Sequence, residues 1–155
     1  MNIFVVDEDP EVAARQLCDK HVVKMILESA QMLCTVAHEH GFIAPYKKAH
    51  PKHPCTLWAG KSPENWSWLI AHGLAMAEEY TRRYGRTHKS EAVIKWCARL
   101  PIQFGASPGL TPFAQAMPEQ YKNDCAVTAY RAYYHGEKAN FATWKSEVPQ
   151  WWTAA

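Results

Sequence analysis

The segment from Asp19 to about His40 constrains the fold most, because it is too long and too apolar for a β-strand. On a helix its apolar residues occupy most of the circumference, which is typical of a central helix rather than a surface one. Gly41 suits the C-terminal end of such a helix. The sequence therefore predicts a long helix in the middle of the fold.

Capping patterns predict the other helices. Asp9-Pro10-Glu11 and Ser62-Pro63-Glu64 each combine an N-cap residue, a proline in the first turn and an acid near the positive end of the helix dipole. Shorter helical segments are expected at 90–99, at Thr111-Pro112 and at 124–136. Residues 42–57 contain three prolines and are expected to be irregular.

Together these patterns predict a mainly α fold, a compact helical bundle of four to six helices in one domain over residues 1–155. The apolar run at residues 2–6 is expected to form a short N-terminal extended arm or a strand. No run approaches the roughly 20 apolar residues that a membrane helix needs. Five cysteines and an acidic rather than basic N-terminus predict a cytoplasmic protein with free thiols.

One narrow polar stripe runs along the central helix. It consists of residues three or four positions apart, namely His21, Lys24, Glu28, Gln31 and Thr35. Such a stripe meets either solvent, with a Lys24–Glu28 surface pair, or a cleft. A partly desolvated Glu28 beside His21 and Lys24 would suit acid/base work, or stabilisation of positive charge on a sugar that is losing its base.

The stretch DKHVVKMILE resembles the Asp-x-His-Leu-(x)5-Glu stretch of bacteriophage pyrimidine-dimer DNA glycosylase/lyases of the endonuclease V type. The resemblance implies an all-helical, metal-free, phage-type protein of the host cytoplasm. It also implies that the N-terminal amine attacks C1′ of the damaged nucleotide and that the glutamate is essential. Carried over, His21 matches the histidine and Glu28 the glutamate, and the amine would be that of Met1.

Three positions depart from the family pattern. Leu27 and Gln31 stand where the family has phosphate-contacting arginines, and Asn2 stands where it has a small residue that is exposed once Met is removed. The aromatic, basic tail by which the family contacts DNA is similar in kind to Trp144, Lys145, Trp151 and Trp152.

Two basic regions are candidates for phosphate contact, although each could also be an ordinary solvated surface. One is the loop 46–58, which begins and ends with an aromatic residue. The other is the segment from Arg82 to Arg99, which contains six basic residues and a single acidic one, Glu91. The phosphate candidates are Lys48, His50, His53, Arg82, Arg83, Arg86 and Lys89. The candidates for stacking on bases are Tyr46, Trp58, Trp151 and Trp152, of which the terminal pair could instead fold back onto the core.

Taken with the family resemblance, these patterns favour an N-glycosylase-like enzyme that acts on DNA or a nucleotide. The resemblance implies Glu28 as its essential carboxylate, with His21, Lys24 and Met1 as the other catalytic candidates. We expect no cofactor and no metal. One alternative is a non-catalytic phage-type protein that binds a nucleotide or a host protein. Another is a zinc-dependent hydrolase, for which the ligand candidates are Cys18, His21, His50, His53 and Cys55.

Overall fold

The computed structural model describes residues 1–153. Their regular secondary structure is helical and includes no strand, as predicted for a mainly α fold. The α-helices are α1 (Pro10–Gln16), α2 (Asp19–Glu39), α3 (Pro54–Ala59), α4 (Pro63–Tyr84), α5 (Glu91–Ala98), α6 (Ala126–Glu137) and α7 (Gln150–Thr153). A single 3-10 turn spans Glu119–Tyr121.

The described part of the chain thus has seven α-helices where we expected four to six. Two short ones, α3 and α7, account for the difference. Residues 42–57 are not irregular throughout, because Pro54 occupies the first turn of α3 and His53 caps it. The helical turn expected at Thr111-Pro112 is absent, and the nearest helical turn begins at Glu119 instead.

Two of the predicted caps form as expected. The Asp9 carboxylate accepts hydrogen bonds from the backbone N–H groups of Glu11 and Val12 at 2.8 and 3.0 Å. The Ser62 hydroxyl accepts one from Asn65 N–H at 3.1 Å. Cys18 occupies the N-cap position of α2. The Asp19 side chain, in the first turn, accepts hydrogen bonds from Arg83, Thr143 and Lys145.

Helix α2 lies at the centre, in contact with α3, α4 and α5. Its buried positions include Val22, Ile26 and Leu33, each with no exposed surface. The same hydrophobic core takes in the N-terminal arm, since Ile3 to Val6 are buried without forming a strand. The arm therefore holds the start of the chain against α2.

The side chain of Asn2 fixes the arm at both sides. Its amide nitrogen donates to the backbone oxygen of Ala116 at 2.8 Å, and its oxygen accepts from the N–H groups of Ile3 and Phe4. Phe4 adopts a positive φ of 42°, a conformation that non-glycine residues rarely adopt. The local turn and the long-range bond together set where the N-terminal amine lies.

No helix among the described residues combines the length and apolarity needed to cross a membrane.

Candidate active site

The N-terminal amine and one buried carboxylate form the centre of the site. The nitrogen of Met1 lies 2.9 Å from Oε1 of Glu28, and the two side chains are only 4% and 9% exposed. Apart from this amine, Oε1 has no partner among the described residues. Within residues 1–153 the carboxylate has one further ion-pair partner, Lys24, whose Nζ lies 4.0 Å from Oε2 and whose side chain is largely exposed.

This pair faces a cleft of about 610 Å³ between the arm, the N-terminal half of α2, the start of α3 and the end of α6. The lining contains all four residues predicted to be catalytic, Met1, His21, Lys24 and Glu28. The first three residues of the polar stripe, His21, Lys24 and Glu28, therefore meet a cleft, whereas Gln31 and Thr35 lie outside its lining. A concave site that holds an amine beside a carboxylate can support nucleophilic and acid/base chemistry.

His21 lies in the wall of the cleft as a neutral group. Its Nδ1 is 2.6 Å from the hydroxyl of Tyr134, and its ring stacks on Phe4 at 4.0 Å. The pKa of His21 is lowered to about 3, mainly by burial and then by the charges of Lys138, Lys24 and Lys20. A neutral, hydrogen-bonded imidazole here helps to shape the wall and carries no positive charge toward a ligand.

Cationic and aromatic side chains surround the centre of the cleft. Lys20, Lys122 and Lys138 line it in addition to Lys24. The Lys138 ammonium lies 4.5 Å from the ring centre of Tyr133, and that of Lys20 lies 4.6 Å from the ring centre of Phe141. Within residues 1–153 neither Lys20 nor Lys138 forms an ion pair with a carboxylate.

Sequence reasoning missed this second wall. Its residues come from the 3-10 turn region, from α6 and from the turn that follows α6, namely Lys122, Tyr133, Lys138 and Phe141. The available signal was a run of alternating rings and basic residues from Tyr130 to Phe141. Nothing local in that run shows that it packs against the N-terminal arm, from which more than 100 residues of sequence separate it.

Among the lysines and histidines of the basic loop 46–58, only His53 lines the cleft, with Pro54 beside it. The Nδ1 of His53 accepts a hydrogen bond from the backbone N–H of Cys55 at 3.1 Å, which caps α3. Burial first, then the charges of the Met1 amine and His50, lower the pKa of His53, while Glu28 acts in the opposite direction. The ring is therefore held neutral beside the amine–carboxylate pair.

The other predicted phosphate contacts lie outside this cleft. Lys48 pairs with Glu39 at 2.8 Å, and the lining includes neither it nor His50, Arg86 or Lys89. The guanidinium of Arg86 donates to the Tyr80 hydroxyl at 3.0 Å. Arg82 is exposed, pairs with Glu79 and borders a different depression.

Arg83 is a structural residue, contrary to the expectation of a DNA contact. Its side chain is 1% exposed and reaches Glu79 at 2.8 Å and Asp19 at 3.1 Å. It also donates to the backbone oxygens of Leu17 and Arg15, both at 2.9 Å. Four of the five N–H donors of this buried guanidinium are thus used inside the protein, which makes it a poor candidate for a phosphate contact.

The predicted stacking residues do not face the cleft either. Trp58 is buried against Trp68 and Phe113, and its N–H donates to the backbone oxygen of Thr111. The hydroxyl of Tyr46 bonds to that of Ser90 at 2.9 Å. Trp58 is held in the core because α3 packs against the loop after Leu110. Tyr46 is half-buried against the same core.

The terminal tryptophans fold back, as the alternative interpretation held. Trp151 donates from its ring nitrogen to Gln16 at 2.8 Å. Trp152 stacks on His135 with ring centres 4.7 Å apart. The Trp144 ring nitrogen donates to the backbone of Gln16, so this tail closes the protein over the end of α1.

The candidate zinc ligands do not converge. Over residues 1–153 no group of three or more histidine, cysteine or acidic side chains is close enough to hold a metal ion. The five cysteines are free thiols, of which only Cys125 is exposed.

The described residues thus combine an all-α fold with a buried amine–carboxylate pair at a lysine-lined cleft, and the sequence comparison places the chain in a class of DNA glycosylases. Residues 1–92, more than half of the chain, match the model of the family described as pyrimidine dimer DNA glycosylase. The chain belongs to this family. No curated protein and no solved structure matches it significantly.

The matched region covers the arm, α1 to α4 and the first residues of α5. It contains Met1, His21, Lys24, Glu28 and His53, whereas the wall with Tyr133, Lys138 and Phe141 lies outside it. The family match therefore covers the chemical centre of the cleft, and the aromatic wall comes from the rest of the chain.

Proposed function

We propose that the protein is a DNA glycosylase/lyase that excises damaged pyrimidines, with the Met1 amine as nucleophile and Glu28 as its essential carboxylate. The observation that carries this proposal is the 2.9 Å contact between the two groups at the wall of the cleft. An α-amine is partly neutral at cellular pH and can attack a sugar carbon. The family's name supplies the substrate class, DNA that carries a pyrimidine dimer.

The reaction follows from the two groups. The neutral amine forms a bond to C1′, the bond between C1′ and the base breaks, and its electron pair leaves with the base. The proton that the amine loses balances the proton that the base takes up. Glu28 accepts the amine proton and stabilises the positive charge that develops on the sugar.

An imine between Met1 and the opened sugar follows from the same attack. Loss of a C2′ proton from this imine then breaks the bond from C3′ to its phosphate oxygen, which cuts the strand. Hydrolysis of the imine returns the free amine. The burial of Glu28 beside a single α-amine favours this covalent path, because the carboxylate is already placed against the atom that reacts.

The lysines of the cleft provide the contacts to DNA in this proposal. Lys20 and Lys138 have no carboxylate partner among the described residues, and each lies over an aromatic ring of the cleft. Phosphate oxygens would replace water at these ammonium groups, and the rings offer flat surfaces to bases. The cations therefore come from positions other than Leu27 and Gln31, where the family's arginines are missing.

Borohydride trapping tests the chemistry directly. We expect the protein to form a covalent adduct with a duplex that carries one thymine dimer, and with one that carries an abasic site, when sodium borohydride reduces the imine. Mass spectrometry of the digested adduct is expected to place the sugar on Met1. Blocking the amine with an added N-terminal Gly-Ser, or by acetylation, should abolish the adduct.

The variant Glu28→Gln tests the carboxylate. We expect it to lose base release by at least about 100-fold while it still binds the duplex, since the shape and the lysines are unchanged. Glu39→Gln is the matched control on the same helix, because Glu39 is exposed and its one ion pair among the described residues is with Lys48. Full activity in Glu28→Gln, or an adduct on a lysine rather than on Met1, would contradict the proposed roles.

A further inference from the structure

The two ring nitrogens of His53 have different surroundings. Nδ1 accepts the backbone N–H of Cys55, so this nitrogen carries no proton and the proton of the neutral ring sits on Nε2. Nε2 has no hydrogen-bond partner among the described residues. The buried polar atoms that lack a partner do not include it, so Nε2 is accessible to solvent. His53 thus presents a neutral N–H donor from the lining of the cleft.

Apart from Tyr133, the other polar side chains that line the cleft are charged or already hydrogen-bonded within the protein. Met1 and Glu28 line the cleft with His53, and the further polar donors include the ammonium groups of Lys20, Lys24 and Lys138. Ammonium groups suit phosphates, whereas a neutral N–H suits the carbonyl oxygen of a base, which gains negative charge only as the base leaves.

The neutral state of the ring is built into the fold. Protonation of Nδ1 would break the cap of α3 and would place a second positive charge near the Met1 amine. Burial and that same amine lower the pKa of His53, in agreement with the geometry. The imidazole cannot therefore deliver a proton as an ordinary acid, and its contribution is a fixed hydrogen bond.

We propose that His53 is a further substrate-contacting residue of this site, and that its Nε2–H donates a hydrogen bond to the carbonyl oxygen of the pyrimidine that leaves C1′. This inference rests on the proposed glycosylase function and adds the group that stabilises the leaving base. No proton is transferred by His53, since the bond strengthens as the electron pair of the glycosidic bond moves onto the base.

Two substitutions separate the two nitrogens. His53→Asn keeps an oxygen that caps α3 but removes the donor at the Nε2 position. His53→Gln places an amide N–H near the Nε2 position and gives up the cap. We expect His53→Asn to lower release of the base from a thymine-dimer duplex at least about tenfold, and His53→Gln to retain more activity than His53→Asn.

Strand cleavage at a preformed abasic site provides the second readout. This substrate has no base to leave, so we expect His53→Asn to form the borohydride adduct there at the wild-type rate. The matched control is His50→Asn, in which the exposed His50 lies outside the cleft and has a φ of 47°, a conformation that asparagine tolerates. It should behave like wild type on both duplexes.

The outcomes are distinct. An equal loss on both duplexes would place the donor on a phosphate and overturn the proposal, as would a wild-type rate of base release in His53→Asn. If the activities of the two His53 variants correlate with their thermal unfolding midpoints and not with the presence of the donor, His53 acts only as the cap of α3 and the proposal is wrong. Failure of the wild-type protein itself to form a Met1 adduct would instead refute the proposed function.

Discussion

The nitrogen of Met1 and the Oε1 of Glu28 lie 2.9 Å apart although α1 and half of α2 separate them along the chain. The contact exists because the arm is buried in the core and enters beside α2. A chain end is ordinarily mobile, so the role proposed for the Met1 amine needs a device that fixes it. Asn2 is that device, since its side chain bonds to the arm and to Ala116.

Asn2→Leu should therefore impair the reaction while it leaves Glu28 in place. Leucine has a similar shape but removes three hydrogen bonds at a buried position, and we expect a loss of about 1–3 kcal/mol in the free energy of unfolding. The rate of adduct formation at an abasic site should fall several-fold even where the protein is fully folded. Urea unfolding and borohydride trapping measure the two effects, and a wild-type trapping rate would contradict the role given to Asn2.

Lys138→Ala should weaken the binding of DNA and reduce its dependence on salt. Its ammonium lies 4.5 Å from the ring of Tyr133 and has no carboxylate partner among the residues described, so one phosphate contact should be lost. We expect the slope of log K against log salt to fall by about one. Fluorescence anisotropy at several salt concentrations gives this slope. Lys89→Ala, outside the cleft, is the control, and an equal change there would show that the cleft is not the binding surface.

Most of the fold could be predicted from local sequence. The long apolar helix, the caps at Asp9 and Ser62 and the loss of regular structure after Gly41 all depend on neighbouring residues. The errors arose where tertiary contacts determine whether a segment becomes helical. Three prolines suggested irregular chain up to Leu57, but Pro54 begins α3 because Cys55 and Trp58 are buried there.

The site could be predicted only in part for the same reason. Spacing along α2 placed His21, Lys24 and Glu28 on one face, but only the family resemblance linked them to Met1. The wall with Tyr133 and Lys138 depends on α6 packing against the arm, a contact between distant parts of the chain. Arg83 was misjudged because a basic run does not show which member points inward to a buried carboxylate.

Acid should destabilise the protein partly through His72. This residue is fully buried, and burial lowers its pKa from 6.5 to about 4. Between these values the unfolded chain binds a proton that the native protein excludes, so the free energy of unfolding falls as the pH drops from about 6.5 to 4. The contribution of His72 to this fall is about 3 kcal/mol.

The non-titrating variant His72→Asn isolates that contribution. Its amide can still donate to the backbone oxygen of Pro10, which Nδ1 of His72 approaches at 2.9 Å. We expect His72→Asn to be less stable at pH 7 and to lose less of its remaining stability than wild type on acidification. Urea unfolding at pH 7, 5.5 and 4 tests this, and parallel curves for the two proteins would refute it.

Arg83→Met should destabilise the fold far more than it affects the affinity of the folded protein for DNA. Removal of the guanidinium leaves Glu79, which is 1% exposed, with Arg82 as its only ion-pair partner among the residues described, and it frees the backbone oxygens of Arg15 and Leu17. Because a buried charge that loses its partner is strongly unfavourable, we expect a loss of about 3–5 kcal/mol in the free energy of unfolding. The guanidinium of Arg86 bonds, among residues 1–153, to the Tyr80 hydroxyl alone, so Arg86→Met should cost less than about 1 kcal/mol. Thermal and urea unfolding compare the two variants, and anisotropy below the unfolding transition compares their binding. Equal stability of the two variants, or a selective loss of DNA binding in Arg83→Met, would restore Arg83 as a DNA contact.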